Sequence, residues 1–184
     1  MRRPLKRHEF ERLVELGAFA DERVELIFGE LITMSPPGAL HLYYSVWLLN
    51  QLFARLQGRA CVQGHSPIRG ADESEPEPDV CVYPTAEHRP DRLPEHCYLV
   101  VEVADSSRAF DLGTKARLYA RTGVPAYWCV DVRRNAVIVH SDPTFVGYGT
   151  VATVAQGEGA ILTLPAFPDV VIEVDALFGR RPTP

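Results

Sequence analysis

A glutamate near the end of an apolar run constrains this chain more than any other feature. Tyr98-Leu99-Val100-Val101-Glu102-Val103-Ala104 is apolar on both alternating faces, the pattern of a central strand covered on each side. Glu102 shares its face with Val100 and Ala104, so its carboxylate enters a layer that water does not reach. Such a group is costly unless it is paired, hydrogen bonded or bound to a cation. The plainer alternative is a strand-end Glu that reaches solvent or an Arg.

The segments around this strand supply a scaffold for it. Lys6 to Leu16 reads as a short amphipathic helix with Phe10, Leu13 and Val14 on one side and Gly17 as its stop. Val24–Phe28 and Leu31–Met34 read as two strands joined by a tight Gly29-Glu30 turn. Leu40 to Gln57 is the longest helix, with Leu42, Val46, Leu49, Leu52, Phe53 and Leu56 at helical spacing. Ala60 to Gln63 reads as a strand. An acidic, proline-broken loop then leads into the strand Asp79–Tyr83. After Glu102, Asp105-Ser106-Ser107 offers N-cap residues for a helix running to Thr122, with Gly123 behind it. Tyr127–Val132 and Ala136–His140 form a hairpin around Arg133-Arg134-Asn135, and the remainder reads as short strands ending near Ala176-Leu177-Phe178. The order predicts an α/β fold on a central mixed β-sheet, with additional β-hairpins. The 184 residues fit one domain, 1–184.

Composition narrows the setting. No apolar stretch approaches the roughly 20 residues that span a bilayer, and no signal-length apolar segment follows the basic start Met1-Arg2-Arg3. Cys61, Cys81, Cys97 and Cys129 show no C-x-x-C pairing, so they read as reduced, buried thiols, and a cytoplasmic protein is expected. Net charge is −5, which is not the footprint of a generally basic nucleic-acid binder. Of 19 basic residues, 17 are Arg and two are Lys. One of the two, Lys115, falls mid-chain beside the acids of interest. Arg and Lys are not equivalent at a site, because only Lys is a compact and tunable charge.

Asp79 opens the strand before Glu102. If those strands pair, the two carboxylates meet at neighbouring strand ends. Converging carboxylates repel, and a divalent cation with oxygen ligands removes that penalty. Asp111, Lys115 and Tyr119 are spaced i, i+4, i+8, so they share one helix face. That face reads either as a surface Asp–Lys pair with a core-edge Tyr, or as a face aimed at the end of the Glu102 strand, where open α/β sheets bind ligands. Glu25 is a further carboxylate within a strand, or an exposed one. His41 opens the long helix as a cap, a structural residue or a substrate contact. Tyr127, Trp128 and Trp47 lie in core-like runs, which favours packing over base stacking. Arg117, Arg121 and Arg133-Arg134 are solvated surface charges or phosphate contacts.

Taken in order, Glu77-Pro78-Asp79-Val80, Val100-Val101-Glu102-Val103, Ser106-Ser107, Asp111, Lys115, Tyr119 and Gly123–Asp131 resemble the bacterial putative restriction endonuclease (Uma-type) family, a branch of the PD-(D/E)XK nuclease superfamily. Val24–Leu31 and Ser35-Pro36 followed by His41 match as well, so the resemblance runs from about residue 7 to residue 175. It implies a restriction-endonuclease-like sheet flanked by helices, Mg²⁺ (or Mn²⁺) dependence and hydrolysis of nucleic-acid phosphodiesters, with DNA as the expected substrate. It maps the two acids on Asp79 and Glu102. The usual lysine two residues after the second acid is replaced by Ala104, and the resemblance places it instead on the next helix, at Lys115. Glu25 matches an extra N-terminal acid, and the Val103 carbonyl is the expected backbone ligand of the metal. Asp111, Tyr119 and His41 are expected in support, and a homodimer is expected because duplex cutting needs two centres. Two alternatives stand beside this. One is an inactive nuclease-fold protein that binds nucleic acid or a protein partner; the other is a paired-carboxylate glycoside hydrolase.

Overall fold

The computed structural model describes residues 3–157 and 159–179; Met1-Arg2 of the basic start and the tail from residue 180 lie outside the described residues. Its centre is a six-stranded sheet in the order β3-β4-β5-β6-β7-β8. These strands are β3 (Cys61–Gly64), β4 (Val80–Tyr83), β5 (Leu99–Ala104), β6 (Ala126–Asp131), β7 (Ala136–Thr144) and β8 (Gly147–Ala155). β5 and β6 are parallel, and the other neighbours are antiparallel. A parallel pair needs a crossover. Here it is a helical segment built from α3 (Arg108–Phe110), a π turn (Asp111–Lys115) and α4 (Ala116–Arg121). Two hairpins lie outside the sheet: β1 (Val24–Ile27) with β2 (Glu30–Thr33), and β9 (Ile161–Leu164) with β10 (Phe167–Glu173). Helices α1 (Arg7–Glu15), α2 (Ala39–Leu56) and α5 (Val174–Phe178) complete the fold. The expected central mixed sheet flanked by helices, with extra hairpins, is what forms.

Strand alternation sorts the core into two layers. Leu99, Val101 and Val103 face Tyr44, Leu48, Leu52 and Leu56 of α2. Val100 and Ala104 face the opposite side, with Cys81, Tyr127, Cys129 and the α4 residues Ala116 and Tyr119. Glu102 therefore enters the layer beneath the crossover helix, as its spacing from Val100 and Ala104 requires.

Several local expectations shift. The buried row of α2 is Tyr44, Leu48, Leu52 and Leu56, whereas Leu42, Val46 and Phe53 are exposed. The helix is apolar around most of its circumference, so spacing alone did not orient it. Tyr44 packs edge-on against Tyr43 and near Phe178, and Ser45 is buried because its hydroxyl donates to the His41 carbonyl at 2.8 Å. On α1, Phe10 is buried but Val14 is half exposed. The β1–β2 turn is Phe28-Gly29, one residue earlier than expected, since Ile27 pairs with Glu30. Both turn residues have positive φ, +50 and +79. Phe28 tolerates this because its N–H is held by the Ser74 hydroxyl at 2.9 Å, and Gly29 is required because a Cβ would lie 2.3 Å from Pro4 Cβ. β7 runs past His140 to Thr144, longer than expected. All four cysteines are free thiols. Among the described residues, no helix is long and apolar enough to cross a membrane.

The two faces of α2 make adjacent residues unequal. Leu52→Ala is expected to destabilise the protein by about 2–5 kcal/mol, and Phe53→Ala by about 0.5 kcal/mol or less. Urea denaturation of the two variants checks this; equal losses would contradict the observed orientation.

Candidate active site

Sheet register builds the site. β4 and β5 pair Val80 with Val101, which sets Asp79 opposite Glu102. The Asp79 carbonyl is turned to the β3 side, where it accepts the His65 N–H at 3.3 Å, and its side chain serves β5: Oδ2 accepts the Val103 N–H at 2.6 Å. The Ala104 carbonyl accepts the Val132 N–H on the β6 side, so by alternation Val103 turns its own N–H and carbonyl toward Asp79. β3 pairs Gly64 with Val80, which carries the next residue, His65, to the Asp79 side.

The crossover helix lowers its cation into this floor. Lys115 Nζ donates to Glu102 Oε1 at 2.9 Å and to Glu25 Oε1 at 3.0 Å, and all three side chains are almost fully buried. Tyr119, one turn on, donates its hydroxyl to the same Glu102 oxygen at 2.6 Å. Glu25 arrives from β1, and its Oε1 also accepts the Glu77 N–H at 3.3 Å, while its Oε2 is buried with no partner. Asp111 does not touch Lys115. It accepts the Ser107 hydroxyl at 2.5 Å, and its carbonyl accepts the Tyr127 hydroxyl at 3.1 Å. Ser107 has helical φ and ψ and makes no side-chain cap, so the expected N-cap is instead a tether for Asp111. The single helix expected from Asp105 to Thr122 is broken by the wider π turn, a feature that often marks functional positions. Arg108 donates to the buried Asp131 at 2.6 Å and fixes the start of the crossover on the end of β6.

His41 does not cap α2, whose N-cap is Gly38. Its Nε2 lies 2.9 Å from Asp79 Oδ2, and His65 Nδ1 lies 3.4 Å from Oδ1. The two rings stand 5.9 Å apart, with His41 Nδ1 and His65 Nε2 unpartnered. His65 escaped the sequence reading, since its only signal is a register visible once β3 and β4 are paired. Asp79, Glu102, Lys115, Glu25, Val103, Asp111, Tyr119 and His41 all converge, and the surface Asp–Lys pair considered from spacing does not form. His41, His65, Asp79, Glu102, Asp111 and Lys115 line a cavity of about 280 Å³.

Electrostatics here is dominated by burial. It pushes the Glu102 carboxyl well above the usual range; Lys115 opposes this, and Asp79, Asp111 and Glu25 add to it. Burial also raises Glu25, again against Lys115. Burial works against the Lys115 ammonium, but Glu102 and Glu25 outweigh it, so its pKa rises and the charge is kept. Asp111 is pushed up to about 6 by burial, opposed by the Ser107 hydrogen bond and Lys115. Four carboxyl groups thus gather at one end of the sheet around a single ammonium that pairs with two of them, and one Glu25 oxygen is an orphan. Hard oxygen donors with excess negative charge fit a hard divalent cation such as Mg²⁺ or Mn²⁺. Among the described residues, no three His, Cys, Asp or Glu side chains form a ready-made cage. Mg²⁺ does not need one, because one or two carboxylates with water and phosphate complete its shell.

The raised Asp111 pKa has a thermodynamic sign. Above about pH 6 the folded protein holds this carboxylate charged at a penalty, and the unfolded chain ionises near 3.8 without it. Stability attributable to Asp111 therefore falls as pH rises through that window. In EDTA, Asp111→Asn is expected to be stabilised relative to wild type by on the order of 1–3 kcal/mol at pH 7, with the gain vanishing near pH 4. Urea denaturation at the two pH values checks this, and a gain independent of pH would refute it.

The fold and the sequence both have known relatives. No curated protein matches the chain. The fold matches the crystal structure of a putative nuclease belonging to DUF820 from Anabaena variabilis, with a TM-score of 0.78 over 96% of this chain and 98% of that one. Sequence identity is 16%, so that likeness is one of fold. The model of the Uma2 family, described as putative restriction endonuclease, matches residues 7–175. With all but the two ends of the chain inside that match, the protein belongs to the Uma2 putative restriction endonuclease family.

Proposed function

We propose that this chain is a single nuclease domain that hydrolyses nucleic-acid phosphodiesters, DNA foremost, with a divalent metal, Mg²⁺ or Mn²⁺. The observation that carries this is the cluster at the end of β5, where Asp79 and Glu102 face each other across the β4–β5 register while Lys115 is held against Glu102. Asp79, Glu102 and the Val103 carbonyl are the groups that would hold the metal, with Glu25 at its edge. When bound, the metal supplies Lewis-acid polarisation of the phosphate and a lowered pKa for an attacking water.

The chain's own residues have separable tasks. The Val103 N–H and His41 keep the Asp79 carboxylate in one orientation. Tyr119 and Lys115 both hold one oxygen of Glu102, leaving its second oxygen for other partners. Lys115 keeps its proton, so it acts as a fixed positive charge for the developing negative charge on phosphate and not as a base. Glu102 and Glu25, in contact with that ammonium, keep it charged, and Asp111 adds to this through space. A guanidinium is not expected to take its place, because it is a larger planar fork and not the compact charge that Glu25 and Glu102 hold here.

Asp79→Asn and Glu102→Gln should each lower the cleavage rate by about 10²–10³ or more, and Lys115→Arg should not restore what Lys115→Met loses. Incubation of purified protein with plasmid and labelled oligonucleotides in Mg²⁺, Mn²⁺ or EDTA checks this. Wild-type cleavage by Asp79→Asn, or full activity in EDTA, would refute the assignment. Calorimetric titration with Mn²⁺ separates the inactive relative: binding lost in both acid variants supports the nuclease, and no binding by the wild type supports a fold kept for binding alone.

A further inference from the structure

We propose that the outer face of α4, with the tips of the two hairpins beside it, is a docking strip for single-stranded polynucleotide: Arg117 and Arg121 take backbone phosphates, and Phe145 stacks on an unpaired base. The choice of ligand rests on the nuclease reading of the site; the geometry does not.

Arg117 follows Lys115 by two residues, so at 3.6 residues per turn it points away from the buried site, and Arg121 repeats its direction one turn later. Both guanidinium groups lie over the ring of Phe28, at 5.0 and 5.4 Å from its centre. Arg121 also lies 4.5 Å from the ring centre of Phe145, so it is clasped between two aromatic side chains. These contacts order the guanidinium planes, while their N–H edges remain for other partners. Arg108, Arg133 and Arg134 on nearby segments all pair with carboxylates. Among the described residues, Arg117 and Arg121 form no ion pair. In a chain of net charge −5, two adjacent uncompensated and pre-ordered arginines make a local positive surface.

Phe28 is brought under them by its left-handed φ of +50, a conformation that bulky residues rarely adopt. Phe145 is at the β7–β8 turn, 74% exposed, with Val146 beside it at 82%. One face of its ring meets Arg121 and the rest is open. An exposed ring next to ordered cations is the combination that binds single strands, with bases stacking on the aromatic side chain and phosphates meeting the cations. Phe28 follows the end of β1 and is three residues from Glu25, about 10 Å at strand spacing, so a strand held at the strip can reach the cavity within a few nucleotides.

The test is fluorescence anisotropy of the full chain with a labelled 20-nucleotide single strand and its matching duplex, in EDTA, across a salt series. For Arg117→Gln/Arg121→Gln we expect single-strand affinity to fall about 10-fold or more and the salt slope to shrink by about 1.4, which is 0.7 for each phosphate lost. Arg117→Gln alone leaves the Arg121 clasp in place and should remove about half of that slope change. Phe145→Ala should weaken the single strand about 10-fold and leave the duplex unchanged. Unchanged affinity and slope in the double variant overturn the strip, as does a wild type that binds no single strand. A duplex preference that Phe145→Ala does not alter overturns the stacking assignment. Parallel cleavage assays in Mg²⁺ separate the two ideas. Strip-dependent binding without wild-type cleavage keeps the strip and ends the nuclease reading. Cleavage with strip-independent binding does the reverse.

Discussion

The ammonium of Lys115, buried between Glu25 and Glu102, is the contact on which the arrangement of this molecule turns. Removing an ion from water carries an effective penalty of several kcal/mol. Three ionisable groups here are almost wholly withdrawn from it. They are tolerable only together: each carboxylate keeps the ammonium charged, and the ammonium limits the repulsion between the carboxylates. The contact also joins three separate parts of the chain, the β1–β2 hairpin, the central strand β5 and the crossover segment. A buried ion network of this kind is weak evidence for stability by itself. Its excess of acid over base is the feature on which the proposed divalent cation rests.

Backbone geometry delivers each member of the cluster. The antiparallel register of β4 and β5 sets Asp79 against Glu102, and the register of β3 and β4 brings His65 to the same end. The parallel step from β5 to β6 forces the chain over the sheet, and that crossover carries Lys115 and Tyr119 back above the strand they follow. The π turn runs from Asp111 to Lys115, and Asp111 at its start is tethered to Ser107, so its charge acts on Lys115 through space. Apolar packing of Val100, Ala104, Ala116, Tyr119 and Tyr127 surrounds these groups, and burial raises the carboxyl pKa values of Glu102, Glu25 and Asp111.

The acidic balance of the chain is compatible with a nucleic-acid substrate because charge is distributed unevenly. Carboxylates are gathered at the end of β5, and arginines neutralise others through ion pairs, such as Arg59 with Asp169, Arg133 with Asp105, and Arg108 and Arg134 with Asp131. On the proposed function, a divalent ion at the cluster would offset its negative charge where phosphate would approach. The sum over all residues, −5, describes neither the cavity nor the arginine face of α4.

Much of this was legible in one dimension. The period-2 pattern of residues 98–104 determined a buried strand with an acid on one face, because alternation is a property of the strand alone. The i, i+4 relation of Lys115 and Tyr119 determined that both would reach the same side, and both bond one oxygen of Glu102. Sequence also determined the α/β class and the acids at two strand ends. Tertiary structure decided the rest. It chose which side of the largely apolar α2 is buried, since contact with β3, β4, β5, β10 and α5 distinguishes Leu52 from Phe53. It moved the β1–β2 turn to Phe28-Gly29, where Ser74 and Pro4 from distant segments define the space. It divided the crossover helix at a π turn and gave His41 and His65 to Asp79. The physical reason is the same in each case. Periodicity records what a segment can bury, whereas strand register and long-range contact determine which partner it meets.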